Sequence, residues 1–241
     1  MKTLLITGST SATGIAVSKA LAERDARMVL HYHANQEKAD ALSAWLSAKG
    51  CVHSFYRTDL TRPENAKTLI DYALEHFGRL DGLINVVGPF AYKNILDVTP
   101  EDWLADIDMN LNSCFHTCHY ALDALRNSRG QIVNFAFAGV ENIKPWPMST
   151  GYCAAKTGVA ALTKSLAAAL AQDKVRVNAI CPGLIDDESI NTEERRGMAE
   201  QIPYGRPVMP DEIGKTATWL IYDSPEMMTG SLLTVAGGWE Y

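Results

Sequence analysis

The sequence predicts an α/β protein: a single doubly wound parallel sheet of about seven strands, with helices on both faces, spanning residues 1–241 as one domain. Three observations carry that prediction. Short β-rich apolar runs alternate with longer helical patterns along the chain. Several of those runs are apolar almost throughout, as strands buried on both faces are. No linker, repeat or low-complexity tract divides the 241 residues, and 47% hydrophobic content suffices to bury one core.

The elements follow in chain order. Thr3–Thr7 (TLLIT) reads as a first strand ending at Gly8, because its apolar run is too short for a signal-peptide core. Ile15–Glu23 is the first helical pattern, Met28–His33 the second strand, Gln36–Ala48 the second helix and Val52–Arg57 the third strand. Pro63 begins the helix Pro63–Phe77, at a position where its missing N–H costs nothing. Strand Gly82–Val87, helix Glu101–Leu125, strand Gln131–Phe135, helix Gly151–Gln172 and strand Arg176–Ile180 come next. Residues 184–203 are charged, follow a strand and lack a clear period, which reads as a substrate lid. Helix Asp211–Tyr222 and strand Leu232–Val235 complete the pattern. Alternation at this spacing implies right-handed βαβ crossovers.

Composition excludes several classes of partner. The net charge is −6 and no block of like charges occurs, which argues against nucleic acid and against an anionic membrane surface. No apolar run approaches the ~20 residues of a membrane span. Five cysteines (Cys51, Cys114, Cys118, Cys153, Cys181) are odd in number and spread without C-x-x-C, which points to reduced thiols in a cytoplasmic protein. Cys114/Cys118 and His116/His119 have helical spacing, but the two pairs point in different directions, so no metal site is expected.

Two short stretches carry chemistry. TGSTSATG, residues 7–14, joins the first strand to the first helix, where glycines allow backbone N–H groups to approach a phosphate at the helix N-terminus. In YCAAK, Tyr152 and Lys156 are four apart and share one helix face. An ammonium beside the phenol would favour phenolate and bring the Tyr pKa down from about 10 towards working pH. Such a Tyr can protonate a carbonyl oxygen or deprotonate an alcohol.

With both stretches in view, the whole chain resembles the classical short-chain dehydrogenase/reductase family, whose core is a Rossmann-type sheet. TGSTSATGIA is similar to that family's glycine turn, Asp59 in RTDL to its adenine-contacting Asp, and NVVG (residues 85–88) to its NNAG. Asn110 in MNLNSCF, YCAAK, NAICPG (residues 178–183) and TGSLLTVAGG (residues 229–238) also match. The resemblance implies Tyr152 as general acid/base. Lys156 would tune it and bond the nicotinamide ribose, and Asn110 would hold a water linking Lys156 to solvent. It implies a dinucleotide held by Gly8, Ser9, Ser11, Ala12, Thr13, Gly14 and Ile15 at the turn, by Asp59 and Leu60, and by Asn85, Val86 and Gly88 beneath the ribose. Pro182, Gly183 and Ile185 would meet the nicotinamide. A small-molecule carbonyl substrate and a homotetramer or homodimer are likewise implied.

The second strand ends LHYHANQE with no acid at its end; the first is Glu37. Dinucleotide sites that hold a ribose 2′-OH place an acid about 20 residues beyond the turn. His31, His33, Asn35 and Lys38 could instead receive a 2′-phosphate, which favours NADP(H), with NAD(H) as the alternative.

Three positions depart from the family's pattern. Ala12 replaces the middle glycine of the turn, and Asp187 stands where a Thr is common. In NFAFAGV, residues 134–140, Phe137 occupies the place of the family's substrate-binding Ser. Losing one donor to a developing oxyanion costs about 2.7–4 kcal/mol. Ser149, Thr150 or a water are the candidate replacements, with Ser149 sharing a face with Tyr152. Phe90, Tyr92, Phe137, Ala138 and Trp146 are expected to wall the substrate pocket. The outline is close to 3-oxoacyl carrier-protein reductases. The HYH strand end resembles pteridine reductases, without their basic residues. A dinucleotide-binding sensor that has lost turnover is the competing, non-enzymatic reading.

Overall fold

The computed structural model describes residues 1–187, 197 and 199–239. Seven parallel strands form one sheet: β1 (Lys2–Thr7), β2 (Ala26–Tyr32), β3 (Val52–Arg57), β4 (Gly82–Asn85), β5 (Gln131–Phe135), β6 (Arg176–Pro182) and β7 (Leu232–Val235). Their order is β3-β2-β1-β4-β5-β6-β7. The chain leaves β1 towards β2 and β3, then returns across to β4, so the order reverses between β1 and β4. In such sheets, ligands bind outside the carboxyl ends of the strands at that reversal.

The core follows from the two-residue alternation of buried strands. Leu4, Ile6, Met28, Leu30 and Ile84 face one side, where they meet α1 (Ala12–Ala22) and α2 (Gln36–Ala48), as well as the helix Pro210–Tyr222. Leu5, Val29, Leu83 and Ile132 face the other, under α3 (Pro63–Phe77), α5 (Ser113–Ser128) and α6 (Thr150–Leu170). Pro63 opens α3 at its first turn and Gly78 closes it in the left-handed conformation (φ 74°).

Two boundaries differ from expectation for identifiable reasons. The predicted helix 101–125 is two helices, α4 (Pro100–Ile107) and α5, joined by a π-turn over Asp108–Asn112. At its centre Asn110 turns its amide back to the carbonyl of Asp106 (3.1 Å) and across to that of Pro89 (3.2 Å), competing with the regular ladder. β4 stops at Asn85 instead of Val87. The chain peels off there: Val87 N–H donates to Thr7 Oγ1 (3.3 Å), and Gly88 has φ 150°. Among the described residues, no helix is long and apolar enough to cross a membrane.

Candidate active site

The register brings Thr7, Asn85 and Asn134 side by side at the strand ends, with the site immediately above them. On the β1 side, Gly8 (φ 63°) makes the sharp turn that only glycine takes without strain. Ser11 caps α1, its Oγ accepting from Gly14 N–H at 3.0 Å. Ala12 and Thr13 begin the helix, and Ile15 packs beside the core. Ala12 is thus helical, and the turn keeps its form without the middle glycine. Ser9 is not available to a ligand, because its N–H (2.9 Å) and hydroxyl (3.0 Å) both donate to His31 O.

The other end of the dinucleotide site differs from expectation. His31 is buried at 2% exposure, with Nδ1 accepting from Gly8 N–H (3.2 Å) and Nε2 against Thr58 O (3.0 Å). Burial brings its pKa down to about 4. It is a neutral brace behind the glycine turn, not a phosphate receptor. His33 lies beyond the end of β2, exposed. Arg57, which was not singled out from sequence, donates Nε to His33 O (2.9 Å) and sets a guanidinium at this edge. Asn35 caps α2 through its Oδ1, accepting from Lys38 N–H at 2.9 Å. Asp59 Oδ1 accepts from the N–H (3.0 Å) and hydroxyl (2.8 Å) of Thr61. Leu60 and Val86 are core residues, so they can meet a ligand through backbone alone.

Asn85 stands at the end of β4, with its side chain turned into the interior. It is 3% exposed, donating to Asn134 Oδ1 (3.0 Å) and Cys118 Sγ (3.2 Å) and accepting from Thr117 Oγ1 (2.8 Å). Asn134 in turn donates to Thr163 Oγ1 (2.9 Å) and accepts from Cys114 Sγ (3.4 Å). This closed network ties β4, β5, α5 and α6 together beneath the site and occupies the Asn85 side chain, so Asn85 can meet a ligand through backbone alone. Cys114 and Cys118 face inward to it, while His116 Nδ1 meets Leu60 O (3.1 Å) and His119 stacks on Phe115. The two pairs diverge, and the described residues hold no group of three or more side chains able to bind a metal. None of the five cysteines is in a disulfide.

Tyr152, Lys156 and Asn110 come together above this network. Lys156 Nζ donates to Phe135 O (3.0 Å) and lies 5.9 Å from the centre of the Tyr152 ring. Gly88 separates the lysine from Asn110: a Cβ there would fall 2.5 Å from both Asn110 Oδ1 and Lys156 Nζ. Asn110 Oδ1 is the only buried side-chain polar atom among the described residues without a hydrogen-bond partner. Burial, reinforced by Cys153 and Cys181, pushes the Tyr152 phenol well above its ordinary pKa. Burial also brings Lys156 down to about 8. The expected depression of the Tyr152 pKa by Lys156 is therefore not what these side chains produce by themselves. Desolvation dominates at both groups, and at Tyr152 it favours the protonated phenol.

Aromatic rings wall the phenol. Phe90 meets it edge-on (5.0 Å, 83°), Phe137 lies 6.3 Å from it, and Trp146 packs edge-on to Phe137 (5.5 Å, 85°). Tyr92 stands beside Phe90 at 6.3 Å. The hydroxyls of Ser149 and Thr150 are each engaged locally. Ser149 Oγ pairs with Cys153 Sγ (3.6 Å), and Thr150 Oγ1 donates to Trp146 O (2.6 Å). Ala138 is fully buried with Leu184, Ile202 and Trp239, not in the pocket wall. Pro182 ends β6 and accepts from Ala138 N–H (2.8 Å), Gly183 N–H donates to Val235 O (2.9 Å), and Ile185 pairs with Val208. Of the expected lid, residues 188–196 and 198 lie outside the described residues, while Ile202 anchors its far end.

The chain matches, over residues 8–240, the family model described as enoyl-(acyl carrier protein) reductase. A D-beta-hydroxybutyrate dehydrogenase of Cupriavidus necator is 32% identical over 254 residues, covering 99% of this chain and 97% of that protein. The chain belongs to the short-chain dehydrogenase/reductase family. It is thereby one of the family's NAD(P)-dependent oxidoreductases. A 3-oxoacyl-(acyl carrier protein) reductase of Haemophilus influenzae is 31% identical over 241 residues, covering 98% of this chain and 97% of that one. The crystal structure of a dehydrogenase/reductase from Sinorhizobium meliloti superposes with a TM-score of 0.92 at 28% identity, covering 98% of this chain and 94% of the other. That structure shares the sheet described above.

Proposed function

We propose that this protein reduces a carbonyl group on an apolar small molecule, using NADP(H), with Tyr152 as the general acid. The convergence of Tyr152, Lys156 and Asn110 around Gly88 supports this reading above all other features. A purely binding protein needs no half-buried tyrosine beside a lysine. The unpartnered Oδ1 of Asn110 and the glycine-made space beside Lys156 fit a ribose and a bridging water.

A bound nicotinamide supplies the hydride. The turn from Gly8 to Gly14 would hold the pyrophosphate at the α1 N-terminus. Gly88, Pro182, Gly183 and Ile185 would border the nicotinamide riboside. Tyr152, kept protonated by burial, donates its proton to the substrate oxygen. Lys156 carries its charge below about pH 8 and holds the ribose end of the site. Asn110 Oδ1 accepts from the water through which Lys156 exchanges protons with solvent.

The substrate reading rests on the walls of the site. Phe137 and Trp146 offer no side-chain hydroxyl, and the rim adds Phe90 (53% exposed). The two rim loops are joined by Lys93 N–H to Met148 O and Ile95 N–H to Pro147 O, each 2.7 Å. NADP(H) is favoured because no carboxylate ends β2, while His33 and Arg57 stand there. Residues 184–203 would close over the substrate. Exposed Trp103, Leu104 and Phe115 on α4 and α5 support a homo-oligomer.

The test is oxidation of NADPH and NADH across ketones, acyl thioesters, quinones and pterins. The expected result is turnover of at least one apolar carbonyl compound, faster with NADPH. NADPH binding without any turnover would replace this reading with a dinucleotide sensor. Failure to bind either cofactor would overturn both.

A further inference from the structure

At the site end of the sheet, both neighbours of β2 turn away from it. β1 ends at Thr7 and bends sharply at Gly8 (φ 63°), while β3 ends at Arg57, opposite Tyr32. The strand ladder offers no partner to Gly8 N–H or to Thr58 O, and backbone polar groups next to a core need one. A single side chain serves both. His31 Nδ1 lies 3.2 Å from Gly8 N, and its Nε2 lies 3.0 Å from Thr58 O.

These partners fix the tautomer. Gly8 N–H can only donate, so Nδ1 is the bare ring nitrogen and Nε2 carries the proton that goes to Thr58 O. The backbone adds to the clasp: His31 O accepts from Ser9 N–H and the Ser9 hydroxyl, and Tyr32 O accepts from Thr58 N–H (3.1 Å). Thr58 leads directly into Asp59, whose carboxylate is tied to Thr61 and whose carbonyl accepts from Asn65 Nδ2 (2.9 Å). One ring thus joins the turn after β1 to the loop after β3. An aliphatic side chain would fill the same space with no desolvation cost. A polar ring enclosed this completely is held for the bonds it makes.

We propose that His31 is a positioning residue for the dinucleotide: its imidazole sets the spacing between the glycine turn that would seat the pyrophosphate and the Thr58–Asp59 loop that would seat the adenine. Sealed behind Gly8, it acts through these two loops and not on the cofactor itself. It therefore serves NADPH and NADH alike and has no part in choosing between them. This inference rests on the reading of the two loops as the seat of the cofactor.

The experiment compares His31→Leu and His31→Asn with wild type in the full chain, by fluorescence titration with NADPH and with NADH. Losing both bonds that hold the loops is worth about tenfold in affinity. His31→Leu should therefore raise both Kd values about tenfold and leave their ratio unchanged. The KM for NADPH should rise in step, with kcat at saturating NADPH held. His31→Asn places an acceptor near the Nδ1 position, keeps the Gly8 bond alone and should lose only about threefold. His31→Val, equally unable to make either bond, provides the readout if the leucine variant does not fold. Wild-type Kd values in the aliphatic variant would overturn the proposal. So would a loss confined to NADPH, which would mean contact with the 2′-phosphate, or a fall in kcat in parallel with affinity. Failure of the wild-type protein to bind either dinucleotide would sink the reading of the two loops, whatever His31 does.

Discussion

Two buried asparagines, Asn134 and Asn110, lie on neighbouring elements and are both fully enclosed. Asn134 is saturated, donating to Thr163 and accepting from Asn85 and the Cys114 thiol. Asn110 uses its amide N–H groups on the carbonyls of Pro89 and Asp106 and leaves Oδ1 without a partner. An unsatisfied buried acceptor costs about 1–3 kcal/mol, so it persists only where something else is gained. The saturated network below holds the sheet and helices together, and the unsatisfied groups above it are where chemistry is poised. Tyr152 and Lys156 belong to the second kind, each displaced by burial from its ordinary pKa.

The contrast can be broken at several points. Lys156→Met should show the largest effect, removing turnover by about 10³-fold, on the scale of a lost proton-transfer or orienting group. The same variant should be more thermally stable. The Lys156 pKa of about 8 lies below its ordinary 10.5. The unfolded chain therefore binds more protons across that window, and wild-type stability should climb as pH rises from 8 to 10.5. At pH 7, Lys156→Met should gain about 2 kcal/mol, or roughly 4–8 °C in melting temperature by calorimetry. A lower melting temperature would show the ammonium to be structural.

Asn134→Ala should do the reverse. It strands Thr163 and Asn85, so a loss of about 3 kcal/mol is expected, near 6–12 °C in melting temperature. Asn110→Ala removes no made side-chain acceptor bond. It should cost about 10–100-fold in kcat with a melting temperature close to wild type. Equal destabilisation by the two alanine variants would erase the distinction between them.

Much of this was legible in the sequence and some was not. The turn at residues 7–14 and the Tyr152–Lys156 spacing are local patterns, and local patterns survive folding. Strand alternation placed His31 and His33 on one face, but it carries no information on depth. The strand ends at Tyr32, so His31 is sealed behind Gly8 while His33 emerges into solvent. The side-chain network of Asn85 was not legible for a different reason, since its partners Thr117 and Asn134 are distant in sequence and only the fold joins them. Arg57 acquires significance solely through its neighbour on another element.

Smaller effects sharpen the comparison further. Phe137→Ser places a hydroxyl beside Tyr152 and should raise kcat for small ketones about tenfold, while lowering stability by about 3 kcal/mol through the cavity it leaves. An unchanged or reduced kcat would show that the aromatic wall itself orients the substrate. The smallest expected effect is in pH dependence. The reduction rate should hold steady up to about pH 7 and fall through about 8 as Lys156 loses its proton, with Tyr152 still protonated. A decline centred well below 8 would assign the titration to another group.

The central claim is that the phenol of Tyr152 delivers the proton, and single-turnover oxidation of NADPH by Tyr152→Phe with a carbonyl substrate tests it most directly. The account predicts a rate lower by about 10³-fold with NADPH affinity intact. A rate within a few-fold of wild type would contradict it.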